Sequence, residues 1–86
     1  VTYRLIVTRA AKKGLASLHP EVQQRVSEHI AAILETPRMP QAAALAGSFA
    51  GLLKVRVGDY RIIYHVDDAT QTIKVVRVGH RSNVYK

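Results

Sequence analysis

The chain has 86 residues, 48% of them hydrophobic and 22% charged, which is the composition of one small globular domain and not of a disordered tail. It has no cysteine, so disulfides and thiolate metal sites are excluded, and a reducing compartment, most simply a cytoplasm, is expected. Thirteen Lys and Arg against six Asp and Glu give a net charge of +7 and point to a polyanionic partner, nucleic acid or an acidic protein. No apolar run approaches the roughly 20 residues that cross a bilayer, so no membrane association and no secretory signal are expected.

The segment TYRLIVT (2–8) alternates and carries β-branched and aromatic residues, which predicts a strand. Thr8 stands where a helix N-cap belongs, and RAAKKGLASL (9–18) follows as a short helix with Ala11, Leu15 and Leu18 on one face. Gly14 weakens that helix a little. His19-Pro20 ends it, because a residue before proline avoids the helical region. Pro20 opens a second helix over 20–36 with Glu21 at its positive end. Val22, Val26, Ile30, Ile33 and Leu34 make its apolar stripe, and the short link predicts an αα-hairpin.

PRMPQAAALAGSFAG (37–51) reads as a connector whose Met39, Leu45 and Phe49 tuck against the domain edge. The grammar then changes to strands: LLKVRV (52–57), a GD turn, YRIIYHV (60–66), a DDAT turn, and QTIKVVRVG (71–79), a three-stranded meander. The final HRSNVYK (80–86) is a tail or a single helical turn. The predicted fold is α+β in the order β-α-α-β-β-β, an antiparallel sheet with the helical hairpin on one face, in a single domain spanning residues 1–86. The first strand is expected to join the sheet, since alone it would leave its backbone unpaired.

Strand parity sorts the side chains. Leu53, Val55 and Val57 point one way and Lys54 and Arg56 the other; Tyr60, Ile62, Tyr64 and Val66 oppose Arg61, Ile63, His65 and Asp67. With the apolar sets under the helices, Lys54, Arg56 and Arg61 gather on the uncovered face, with His65 further along. On the last strand Arg77 and Arg81 share one phase and Lys74, Val76, Val78 and His80 the other; a bend at Gly79 would turn Arg81 or His80 onto the open face. A wet sheet face explains any one of these cations. It explains the set less well, because like charges on neighbouring strands repel.

The segments LKVRVGDYRIIYHVDD and VVRVGHRSNVYK, with YRLIVTRAAKKGLASL and ILETPR before them, resemble the RelE-type toxins of the RelE/ParE superfamily of toxin–antitoxin pairs, over nearly the whole chain. The resemblance implies a metal-independent, ribosome-dependent endoribonuclease that cuts mRNA. It also implies a cytoplasmic protein with no cofactor, neutralised by an acidic RelB-like antitoxin and reaching operator DNA only through that complex. Carried over by position, Lys54, Arg61, Arg81 and Tyr85 are the catalytic candidates, with Arg56, Arg77 and His80 contacting RNA. The best-studied branch has a second Lys two residues before Lys54, where this chain has Leu52, and many relatives continue beyond Tyr85 into a short helix.

The chemistry asks for a base to take the 2′-hydroxyl proton, cations for the charge building on the phosphate, and an acid for the leaving 5′-oxygen. Arg61 suits the second task, since a guanidinium meets two phosphate oxygens at once, and Arg56 suits backbone binding. Lys54 serves as base only as a neutral amine, a form its cationic neighbours favour. Tyr85 can act as base or stack on a nucleobase. Arg81 fits charge stabilisation better than proton donation. His80 or His65 could share the proton traffic. Two other readings stand beside this one: a ParE-like DNA gyrase poison acting by protein contact, and a degenerate toxin that only joins its antitoxin on operator DNA.

Overall fold

A computed structural model describes residues 2–81. Strand β1 (Arg4–Val7) leads into α1 (Arg9–Ala16) and α2 (Pro20–Glu35). A two-residue strand β2 (Ala43–Ala44) and a 3-10 turn at Gly47–Phe49 occupy the connector, and β3 (Leu53–Val57), β4 (Tyr60–Asp67) and β5 (Thr72–His80) follow. The expected order is present, and each predicted element ends within two residues of the observed one. The connector alone held an unpredicted strand.

The sheet has five strands in the order β1-β5-β4-β3-β2. It is mixed where an antiparallel sheet was expected: β3, β4 and β5 form the antiparallel meander, while β1 lies parallel to β5, Arg4 to Val7 beside Thr72 to Val75. The reason is the helical hairpin. Two antiparallel helices and the connector return the chain to the far side of the sheet, so the meander ends with β5 alongside β1 and running in its direction. The β3–β4 hairpin turns at Gly58-Asp59 with Gly58 at φ +62°, the left-handed conformation that a two-residue turn of this kind asks of its first residue. In the β4–β5 turn, Asp67 Oδ1 accepts the Thr70 N–H at 3.2 Å.

The core lies between the helices and one sheet face. Ala11, Val26 and Ile33 are fully buried against Val55, Ile62, Tyr64, Ile73 and Val75. Ile30 and Leu18 close its sides, and the Tyr64 hydroxyl donates to the Pro37 carbonyl at 2.7 Å, tying the connector to the core. Gln23 on α2 donates through its side-chain amide to the Leu15 carbonyl at 2.8 Å, which holds the two helices together.

Helix α1 is fixed to β5 by two features. A Cβ on Gly14 would lie 3.1 Å from the carbonyl carbon of Val78 and closer still to its oxygen, so only glycine allows this approach. Thr8 caps the helix by accepting the Ala11 N–H at 3.1 Å, while its own hydroxyl donates to the Val76 carbonyl at 2.7 Å. Val76 is the extra residue of a β-bulge: Ile63 pairs with Arg77 and Tyr64 with Val75, leaving Val76 unopposed. The cap of α1 therefore supplies a donor to the carbonyl that the bulge takes out of the ladder.

Candidate RNA-binding face and the family of the chain

Cross-strand neighbours share a face, so the pairing register maps the side of the sheet away from the helices. One row across it holds Ala43, Lys54, Ile63 and Arg77; the next holds Arg56, Arg61 and Gly79; a row on the other side holds His65, Lys74 and Ile6. None of these residues belongs to the helix-side core. Ile63 is nonetheless fully buried, flanked in its row by Lys54 and Arg77. Long cationic side chains can cover an apolar neighbour with their stems while the charge stays in water.

Arg56 and Arg61 stand directly opposite each other, and Lys54 lies on the diagonal from Arg61, a Cα separation of about 7–8 Å in an antiparallel pair. Gly79, on the other side of Arg61, adds no side chain to the row. Neither Lys54, Arg56 nor Arg61 forms an ion pair with any described residue. The contrast is Arg38, which meets Asp68 through two hydrogen bonds of 2.9 and 3.1 Å at the edge of the domain, where the Tyr3 hydroxyl also donates to Asp68 at 2.6 Å. These bonds, Arg38 first and Tyr3 second, hold the Asp68 carboxyl below the usual carboxylate range, and the same carboxylate pushes the Tyr3 phenol up.

The remaining candidates fall in different places. The Arg81 N–H donates to the Asp59 carbonyl at 2.9 Å, so the β4–β5 register continues one step past β5 and sets Arg81 in phase with Gly79 and Arg61. His80 pairs with Tyr60 on the helix side, the two rings edge to face at 5.5 Å, and lines a crevice with Lys13, Gly14 and Ser17 of α1. The strand runs through Gly79 without the bend that would have turned His80 to the open face. His65 is on that face, but four residues along β4 from Arg61, about 13–14 Å. Tyr85 lies outside the described residues. Lys74 was assigned the wrong phase from sequence: the bulge at Val76 shifts it by one residue onto the open face, opposite His65. Among the described residues, no group of three or more His, Asp or Glu converges as a metal site would require.

The family model for the ParE toxin of the type II toxin–antitoxin system parDE matches residues 5–85. The chain belongs to the RelE/ParE family of type II toxins. Toxin RelG of Mycobacterium tuberculosis is 30% identical over 84 residues, 98% of this chain and 97% of the relative. Among solved structures, the toxin–antitoxin complex RelBE2 of M. tuberculosis superposes with a TM-score of 0.83 at 30% identity, covering 94% of this toxin and 100% of that chain. The archaeal RelE–RelB complex of Pyrococcus horikoshii gives 0.79 at 28%, covering 98% and 100%. The mixed sheet with its helical hairpin is thus the RelE fold.

Proposed function

We propose that this toxin is a metal-independent endoribonuclease that cuts mRNA on the translating ribosome through attack of a 2′-hydroxyl on the adjacent phosphorus. The observation that carries the reading is the facing pair Arg56 and Arg61, with Lys54 on the diagonal, without an ion pair to any described residue, on the sheet face turned away from α1 and α2. Two guanidinium groups directly opposite cost stability by repulsion, and a bound phosphate removes that cost. In the proposed reaction Arg61 takes the non-bridging oxygens and stabilises the charge of the phosphorane, while Arg56 and Arg77 hold the flanking backbone. Lys54, from the neighbouring row, reaches the same phosphate and serves the 2′-hydroxyl. The 2′-oxygen bonds phosphorus as the P–O5′ bond breaks, leaving a 2′,3′-cyclic phosphate; the departing 5′-oxygen takes a proton from water on the side where Arg81, in phase with Arg61, adds positive charge, and Tyr85 completes the set as base or stacking partner. One well-aimed donor of this kind is worth about 10²–10³ in rate.

The partner we assign is an acidic, RelB-like antitoxin in the cytoplasm, on the likeness to toxins solved in complex with theirs; operator DNA is reached through that complex. The matching family model, named for ParE, keeps a second reading in view, a gyrase poison that acts by protein contact. Expression without antitoxin, followed by mapping of mRNA 5′ ends and of chromosome breaks, separates the two. Cuts within translated frames support the nuclease; broken DNA with intact mRNA overturns it.

A further inference from the structure

The open face carries more than the proposed cleavage site needs. Past His65 and Lys74 it ends in a cleft of about 380 Å³, lined by Arg4, Ile6, His65, Asp67, Thr72 and Lys74 among others. The register arranges these in two rows: Ile6, Lys74 and His65 across β1, β5 and β4, then Arg4, Thr72 and Asp67 across the same strands. Ile6 is 49% exposed, a large apolar side chain left in water on a cationic surface. His65 and Lys74 beside it are exposed as well.

We propose that this cleft is a second nucleotide subsite, which holds the phosphate and base of an RNA residue flanking the one that is cut. The proposal rests on the nuclease reading above and extends it. Its ligand follows from the mixture of groups. Lys74 and Arg4 supply two cations for phosphate. Ile6 and the His65 ring supply an apolar and an aromatic surface for a base, which a bare anion would not use. Asp67, with its carboxyl held low by the Thr70 N–H and hydroxyl, stays anionic; it repels phosphate from its own corner and accepts a hydrogen bond from a base amino group there. The phosphate is therefore placed on the Lys74 side and the base edge toward Asp67. The distance also fits. His65 lies four residues along β4 from Arg61, about 13–14 Å, a length that two extended nucleotide steps span.

The test uses the full chain and two fluorescent 2′-O-methyl RNAs, which cannot be cleaved, one of two nucleotides, too short to reach from Arg61 to the cleft, and one of seven. Anisotropy titrations are run over a range of salt, with cleavage of unmodified RNA on ribosomes read separately. Arg4→Ala with Lys74→Ala is expected to weaken the seven-mer about tenfold and to lower its log–log salt slope by about 0.7, for the one phosphate the subsite holds, while the two-mer binds as before. Ile6→Ser is expected to weaken the seven-mer with its slope unchanged. Wild-type affinity and slope of the double variant for the seven-mer overturn the subsite, as does an equal loss on both oligomers. So does unchanged RNA binding with lost antitoxin binding, which would make the cleft a protein contact. Cleavage with no subsite effect sinks this inference alone; the expected subsite effect without cleavage sinks the nuclease reading alone.

Discussion

Gly14→Ala sets helix propensity against packing, and the structure says which wins. In an exposed helix the change would stabilise by about 1 kcal/mol. Here the new Cβ would meet the Val78 carbonyl carbon at 3.1 Å and its Cα at 3.7 Å, with the oxygen nearer than either. These are backbone atoms of β5, which is hydrogen-bonded to β4 there and to β1 further back, so the strand cannot yield. Helix α1 has to lift, and contacts beneath Ala11, Leu15 and Leu18 open. Overpacking of this kind costs about 3 kcal/mol at the upper end of its usual range, for a net loss of about 2 kcal/mol. In a domain of this size that lowers Tm by about 8–16 °C. Thermal and urea unfolding followed by circular dichroism measure it. A Gly14→Ala protein as stable as the parent, or more so, would refute the close approach of α1 to β5.

Arg61→Thr should cut ribosome-dependent cleavage by about 10²–10³ while leaving the unfolding midpoint level or raising it by about 0.2–1 kcal/mol, because it removes a like charge facing Arg56; a loss of stability would mean that Arg61 has a structural role. Thr8→Ala removes both the cap on Ala11 and the donor to Val76, for a loss of about 1–2 kcal/mol in urea unfolding, whereas Thr8→Ser keeps both groups and should stay close to the parent. Stability should also follow the Tyr3–Asp68–Arg38 cluster at both ends of the pH scale. The Asp68 carboxyl is depressed, so its contribution is present above the unfolded value of about 3.9 and lost as pH falls through the lower folded value. The Tyr3 phenol is raised, so its contribution is present below about 10 and lost as pH rises through the higher folded value. Asp68→Asn should flatten both limbs in Tm measured from pH 3 to 11; unchanged limbs would show that the cluster contributes nothing.

The local elements were legible because each carries its own signal. The stripe on α2 places Val26, Ile30 and Ile33 in the core as read, and the alternation on β3 and β4 sorts Lys54, Arg56 and Arg61 correctly. What escaped depends on contacts between distant segments. Gly14 reads as a small helix defect until β5 is laid beside it. The parallel placement of β1 depends on the path taken by two helices and a connector. The bulge at Val76 leaves no mark in a run of valines, yet it decides which face Lys74 occupies, and with it the far end of the cationic surface. Ala43–Ala44 pairs with β3 through backbone alone, so its side chains gave no strand signal.

The placement of β5 bears on how the toxin is made. Strand β5, the last of the described strands in chain order, lies between β1 and β4, and it is also the surface on which α1 rests. Until residues 72–80 emerge, β1 has no partner and the guanidinium of Arg77 is not yet in place. A product that stops short of residue 72 is therefore expected to lack the sheet, and with it the toxin fold.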